Sequence, residues 1–229
     1  MRILIVTATS LEIEPLVSAF RPPGNVGNAG PRVQLYAHRG HDIAVLTTGV
    51  GMVATASWCS DALTRERYDV ALNLGTCGSF DSSLTPGTVV HVVADRLAEL
   101  GAEDHDRFIP IEKLMLLDEN EFPFTGGQLV NVAPPSNPAL MALTEVRGIS
   151  VNTVHGSERS IADAIARWHA DVESMEGAAF MYACLTHDTA FAQVRAVSNL
   201  VEPRDRSRWS MAEAIANLGA RSLEMIASF

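Results

Sequence analysis

The sequence predicts an α/β fold built on a largely parallel or mixed sheet. Three observations carry that expectation: short runs rich in Val, Ile and Leu, segments with helical spacing of apolar residues between them, and turn-forming Gly, Pro or Asn at the junctions. Strands that alternate with helices along a chain pack best as a sheet with helices on its faces. Repeats and low-complexity tracts are absent and no stretch reads as a linker, so residues 1–229 are expected to form one domain.

In chain order, Arg2–Thr7 is a short β-branched run and reads as a buried first strand. Thr9 or Ser10 can cap a short helix carrying Glu12, Leu16, Val17 and Phe20, and Arg21-Pro22-Pro23-Gly24-Asn25 ends it. Val33–His38 and Asp42–Thr47 read as two strands about a turn at Arg39-Gly40-His41. Gly49-Val50-Gly51 leads into an Ala-rich helix from about Val53 to Thr64. Asp69–Leu74 is an apolar strand, followed by Gly75-Thr76-Cys77-Gly78 as a turn at the edge where open α/β sheets bind ligands. Thr88–Val93 follows the Pro86-Gly87 turn as another strand. From Asp95 to about Pro138 the pattern weakens, and an irregular stretch of that length is expected to be a lid or binding loop. Ile149–Val154 reads as a strand and Ile161–Trp168 as a short helix. Asp171 opens a helix running to Cys184, with Glu176 near its first turn among small and bulky apolar residues. Ala190–Ser198 is a strand and Ser210–Phe229 an amphipathic final helix.

Composition narrows the function. Charged residues are 19% of the chain and hydrophobic ones 47%, which suits a sizeable buried core. The net charge of -10 argues against nucleic acid or an anionic membrane surface as the main partner, though a small anion responds to local charge instead. Cys59, Cys77 and Cys184 form no even set and lack metal-ligand spacing, so neither disulfides, metal nor cofactor is expected, and a reducing cytoplasm fits. The apolar start at Met1–Val6 is too short for a signal segment or membrane span before Glu12 and Glu14 arrive.

One glycine motif invites misreading. Gly49-Val50-Gly51-Met52-Val53-Ala54 loosely matches a dinucleotide fingerprint, but the acid at the expected distance, Asp69, begins its strand and so lies at the wrong sheet edge. A phosphate-binding Gly-Lys-Ser/Thr loop does not occur. Three polar residues then stand out at strand ends or a helix start: Glu12, Glu176 and Asn199. Alone, each has an ordinary reading, as a helix-face acid, an acid favoured by a helix N-terminus and a turn former. The sharper expectation is that all three converge at one sheet edge.

Gly49-Val50-Gly51, Asn73-Leu74-Gly75-Thr76-Cys77-Gly78, Val172–Ala179 with its Met175-Glu176-Gly177 core, and Val194-Arg195-Ala196-Val197-Ser198-Asn199 together resemble the purine nucleoside phosphorylase and nucleosidase superfamily, in that family's order and over almost the whole chain. The resemblance implies a three-layer αβα sandwich around a mixed, partly barrel-like sheet. Phosphorylases of this kind carry an Arg in the loop after the first strand and another just ahead of the Gly-Ser/Thr-Cys-Gly turn. Here no basic residue lies between Thr7 and Phe20, and Asn73 takes the second place. An acid in the first loop, matching Glu12, belongs to the hydrolytic branch and would repel phosphate, so the resemblance implies an N-ribosyl hydrolase.

By the same resemblance Glu12 is the general base for water, Glu176 holds ribose hydroxyls and the cationic sugar, and Met175 packs on the ribose face. Thr76, Cys77 and Gly78 line the sugar and base pocket, with Val50 and Phe108 as further substrate contacts. At position 199 the adenine-releasing nucleosidases carry Asp, able to protonate N7. Asn199 is not such an acid, and its amide, one donor side and one acceptor side, suits a 6-oxopurine such as hypoxanthine. Val172–Gly177 and the tail from Ser198 through Glu202-Pro203-Arg204-Asp205 to Trp209 resemble the futalosine hydrolase branch, whose substrate joins hypoxanthine to a ribose with a carboxyphenyl arm. Phe80, Phe108 or Trp209 would offer an aromatic wall for that arm, and Arg204, Arg206 or Arg208 a cation, although the three arginines equally suit solvent or pairing with Glu202 and Asp205. A methylthioadenosine, S-adenosylhomocysteine or aminodeoxyfutalosine nucleosidase is the alternative, opposed by Asn199. An inosine phosphorylase is opposed by Asn73 and the missing loop arginines, and a non-catalytic purine-nucleoside-binding protein by the presence of both acids. The resemblance also implies a homodimer or higher homo-oligomer, with the helix at Val53–Leu63 as a candidate contact.

Overall fold

The computed structural model describes residues 1–22 and 30–229. Its elements are β1 (Arg2–Thr7), a 3-10 turn at Ser10–Ile13, α1 (Glu14–Val17), β2 (Val33–His38), β3 (His41–Thr47), α2 (Met52–Arg65), β4 (Val70–Ser79), β5 (Val89–Asp95), β6 (Gly101–Asp104), β7 (Arg107–Pro110), β8 (Leu129–Val130), α3 (Pro138–Met141), β9 (Thr144–Ser150), α4 (Glu158–Trp168), β10 (Val172–Ser174), α5 (Gly177–Thr186), β11 (Phe191–Leu200), a 3-10 turn at Arg206–Arg208, and α6 (Met211–Ser228).

The principal sheet is mixed, in the order β10-β9-β5-β11-β4-β1-β3-β2, and β8 adds to β5. Because β10 also pairs antiparallel with β4, the five strands β4, β11, β5, β9 and β10 close into a ring, from which β1, β3 and β2 extend as an open wing. Period-two alternation makes the wing two-sided. Ile3 and Ile5 of β1 pack with Leu16, Leu140, Leu218 and Met225 under α1, α3 and α6. Leu4 and Val6 pack with Cys59, Leu63, Phe180 and Cys184 under α2 and α5. A smaller cluster of Cys77, Val90, Val92, Val146, Val172 and Val197 comes from the ring strands themselves. The layered αβα arrangement around a partly closed sheet is thus the one expected. Among the described residues no helix is long and apolar enough to cross a membrane.

Four expectations change. The Asp171–Cys184 segment is not one helix: Val172–Ser174 is a strand, and α5 begins only at Gly177, with Glu176 at its N-cap. Three residues are too few to show a period, while edge pairing to both β9 and β4 stabilises them as a strand. Gly75–Gly78 is strand rather than turn, because β4 is flanked by β11 throughout and by β1 then β10 along its two halves. The fifth ring strand, β9, ends at Ser150 rather than beginning at Ile149, so Val151–Val154 is a connection toward α4. The 95–138 stretch holds the β6–β7 hairpin and β8, and is pinned where Arg96 meets Glu112 at 2.6 Å and the Gly126 carbonyl at 2.8 Å. The turn read at 21–25 falls partly outside the described residues.

Candidate active site

One cavity of about 450 Å³ opens where β1, β4, β10 and β11 end beside α5. Glu12, Glu176 and Asn199 all line it, as do Val50, Thr76, Cys77, Gly78 and Met175. Phe108 does not: it packs edge-on to Trp168 (6.1 Å between centroids) beneath the Arg167 guanidinium (4.7 Å) and borders a different cavity. The hairpin connection that carries it was read as an irregular loop free to reach the site, whereas β6–β7 pairing fixes it elsewhere.

Glu12 is held from both sides. Its Oε2 accepts from the Thr9 backbone N–H (3.2 Å) and hydroxyl (3.1 Å), the return half of a capping box that starts the first turn. Its Oε1 accepts from the Thr76 N–H (3.0 Å) and hydroxyl (3.1 Å) on β4. The carboxylate therefore bridges the loop after β1 to the middle of β4, fixed by the N–H and the hydroxyl of each threonine.

Glu176 is anchored just as firmly, and only 6% of it is exposed. Its Oε1 accepts from the Gly51 N–H at 3.0 Å. Gly51 caps α2 with φ 99°, a left-handed conformation that favours glycine. The Gly49-Val50-Gly51 motif thus serves to aim a helix-terminal N–H at an acid rather than to cradle a dinucleotide.

Between the two acids lies Arg195 of β11, 1% exposed. Its Nη1 is 3.8 Å from Glu176 Oε2, and its Nη2 donates to Asn73 Oδ1, whose own Nδ2 donates to the Val6 carbonyl at 3.1 Å. Gly75 makes room: a Cβ there would run into the guanidinium and come within 3.2 Å of Glu12 Oε1. A buried cation at this point compensates the neighbouring carboxylates. Asn73, noted above only for not being an arginine, holds the arginine that β11 supplies.

Behind this group, fully buried Asp95 accepts from Gln193 (2.9 Å), the Ser150 hydroxyl (3.1 Å) and the Arg96 N–H (2.7 Å). Ser150 in turn accepts from the Ala178 N–H (2.7 Å), tying Asp95 to the first turn of α5. Burial lifts the Asp95 carboxyl to about 6, opposed by its donors and by Arg195. Burial also pushes the Cys77 thiol up to about 12, which makes it a wall rather than a nucleophile.

At the other end of the cavity a β-bulge between Val197 and Asn199 turns the end of β11. Asn199 Oδ1 accepts from the Ser198 hydroxyl (2.8 Å) and its Nδ2 donates to the Leu200 carbonyl (2.8 Å). Beside it lies Glu173 of β10, bonded to His155: the ring Nδ1 lies 2.6 Å from Oε2 and the backbone N–H 3.1 Å from Oε1. Trp209, Met211, Ile215 and Leu11 supply apolar walls. Of the three arginines, Arg204 lines the cavity with its guanidinium 5.2 Å over Trp209, while Arg208 pairs with Glu202 at 2.6 Å and Arg206 only flanks the Trp209 ring. Phe80 contacts the His155 ring from outside the cavity lining (6.1 Å). Arg195 and Glu173 went without a role in the sequence reading. A charged residue in the middle of an otherwise apolar strand, and an acid two positions before Met175, were the available signals.

A profile of the phosphorylase superfamily matches residues 2–228. The futalosine hydrolase of Streptomyces coelicolor is 32% identical over 95% of this chain and 92% of its own length, and that of Thermus thermophilus is 28% identical over 82% and 83%. A 5'-methylthioadenosine/S-adenosylhomocysteine nucleosidase of Glaesserella parasuis is 26% identical over 99% and 96%. Among solved structures, the Helicobacter pylori 5'-methylthioadenosine/S-adenosylhomocysteine nucleosidase with butyl-thio-DADMe-Immucillin-A superposes with a TM-score of 0.80 at 14% identity, covering 100% of this chain and 99% of that one. The native futalosine hydrolase of Helicobacter pylori does so with a TM-score of 0.77 at 13% identity, covering 100% and 98%. At those identities the structural likeness bears on the fold alone.

Proposed function

This chain belongs to the phosphorylase superfamily and is a nucleosidase, and from that premise we propose that it hydrolyses futalosine to hypoxanthine and the dehypoxanthinyl sugar, a step of menaquinone biosynthesis. The observation that carries the reading is the pair of anchored acids, Glu12 and Glu176, facing one cavity whose far end presents Asn199 rather than an aspartate. The relatives at about 30% identity support it.

Cleavage of an N-ribosidic bond builds positive charge on the sugar and negative charge on the departing purine. In this proposal Glu12 takes the proton of the attacking water, its orientation set by Thr9 and Thr76. Glu176 holds the ribose hydroxyls and stabilises the sugar cation, with Met175 against the ribose face. Arg195 lies beside Glu176 and compensates its charge. Asn199 bonds the base edge, and the leaving purine takes its proton from solvent or from another group of the site. Thr76, Cys77, Gly78 and Val50 bound the pocket, and Trp209 with Arg204 receives the substituted 5' end of the substrate, aryl face on indole and carboxylate on guanidinium. We further propose that the protein works in the cytoplasm as a homodimer or higher homo-oligomer, with α2, on which Val53 is 81% exposed, as the candidate contact.

The test is a substrate panel: futalosine, aminodeoxyfutalosine, methylthioadenosine and inosine, with the released base identified by chromatography. Hypoxanthine from futalosine as the dominant activity is expected. Dominant release of adenine from the amino substrates would replace the proposal by a methylthioadenosine-type nucleosidase, and tight binding without release by a sensor.

A further inference from the structure

The purine end of the cavity has a second recognition group opposite Asn199. In the strand register Gly78 of β4 is flanked by Glu173 of β10 on one side and by Asn199 of β11 on the other. Side chains in register across neighbouring strands share a face, and two strand spacings put their backbones roughly 10 Å apart. A Cβ built on Gly78 would lie 2.8 Å from Val201 Cγ2 and 3.6 Å from both Asn199 Nδ2 and Glu173 Cγ, so the two polar side chains stand on one face of the sheet to either side of the glycine, and both line the cavity. A hydrogen-bonding side chain thus borders this part of the cavity on each side of Gly78.

Those two groups differ in what they offer. The Asn199 amide is fixed by Ser198 and Leu200, leaving one N–H and one lone pair. Glu173 is 4% exposed and lines the cavity, and its recorded partners are both on His155, the backbone N–H and ring Nδ1. Facing a carboxylate, Nδ1 carries the hydrogen, so His155 holds Glu173 as an acceptor with lone pairs left toward the cavity. No arginine or lysine pairs with it among the described residues. A carboxylate buried in this way is costly unless it is hydrogen-bonded, and a donor on the ligand completes it.

We propose that Glu173, oriented by His155, selects 6-oxopurine nucleosides by accepting the N1–H of the lactam. This rests on the nucleosidase reading above and names its base-selecting group. A 6-aminopurine presents a lone pair at N1, which would meet the lone pairs of Glu173, whereas the 6-oxo form presents a hydrogen. Asn199 alone is ambivalent because an amide has both a donor and an acceptor side. Glu173 is acceptor-only, and so it discriminates.

The experiment compares kcat/KM for futalosine and for aminodeoxyfutalosine in the wild-type protein, Glu173→Gln and His155→Ala. An amide at 173 can turn either face to N1, so the 6-oxo over 6-amino preference of Glu173→Gln should fall about 10- to 100-fold, as expected for loss of a hydrogen bond to a charged group. His155→Ala should shift the ratio in the same direction by less. A preference that stays constant while both substrates lose equally would overturn the assignment and leave the nucleosidase reading intact. A wild-type protein that prefers the 6-amino substrate would overturn both. Should Glu173→Gln fail to fold, product inhibition of the wild type decides: hypoxanthine should bind at least tenfold tighter than 1-methylhypoxanthine, which lacks the N1–H, and equal affinities would sink the proposal.

Discussion

The two ends of the cavity are built on different parts of the fold. At the hydrolytic end both acids hang from backbone N–H groups, Glu12 from Thr9 and Thr76 and Glu176 from Gly51, with Arg195 buried between them. At the purine end the groups hang from a bulge, a three-residue strand and the connection at Val151–Ser157: Asn199 from Ser198 and Leu200, Glu173 from His155. The N–H groups of Thr9, Thr76 and Gly51 survive side-chain replacement and keep both acids held, whereas at the purine end the His155 ring and the Ser198 hydroxyl, which share the holding with the His155 N–H and the Leu200 carbonyl, change with single substitutions. A scaffold of this kind keeps one reaction while its base preference drifts.

That contrast is broken most severely by Glu12→Gln. The amide keeps the donors of Thr9 and Thr76 partly satisfied but takes no proton, and turnover should fall ~10²–10⁴-fold with hypoxanthine binding retained, read by single-turnover kinetics against product affinity. Near-normal turnover would remove Glu12 from the role of base. Next comes Arg195→Met, which leaves Glu176 and Asn73 facing an apolar chain. Breaking a buried charged contact costs roughly 3–5 kcal/mol, visible as a lower denaturant midpoint at unchanged m-value. A stability within 1 kcal/mol of wild type, by the usual measure of surface changes, would mean that Arg195 does not compensate the acids.

Asp95 tests the layer behind the hydrolytic end through pH. Its folded-state value, raised from 3.8 to about 6, means that the fold favours the protonated form. The stability it lends is therefore complete below about pH 4 and is lost as pH rises through 6, by about 3 kcal/mol for a shift of this size. Asp95→Asn should abolish that slope, and Gln193, whose Oε1 has no partner, can turn to accept from the new amide. Parallel stability–pH curves for the two proteins between pH 4 and 7 would contradict it. The smallest effect belongs to the rim: Arg204→Ala should raise KM for futalosine about fivefold to tenfold and leave inosine, which lacks the charged arm, unchanged.

The sequence was legible where chemistry and position coincide. Glu12, Glu176 and Asn199 stand at element ends in recognisable surroundings, and all three border one cavity. The apolar run Arg2–Thr7 was read as a buried strand, and its side chains are indeed buried, divided between two cores. What stayed hidden depends on pairing between distant segments. No local signal says that Val172–Ser174 adds to β4 and β9 to close the ring, so the stretch looked like the start of a helix, and Glu173 went without a role although it is a neighbour of Gly78. Gly75 looked like a turn residue because glycine has two uses, and its real one, admitting the Arg195 guanidinium, requires knowing that β11 lies alongside. Phe108 was assigned to the substrate because 95–138 lacks a period, but its hairpin pairs locally and docks on Trp168.

The division between the two ends stands or falls on whether water, not phosphate, meets the sugar at Glu12. The direct measurement is the rate of hypoxanthine release from futalosine across a phosphate titration starting from phosphate-free buffer, with the sugar product identified by mass spectrometry. A rate independent of phosphate and a free anomeric hydroxyl on the sugar are predicted. A rate that vanishes without phosphate, with a sugar 1-phosphate as product, would contradict the account.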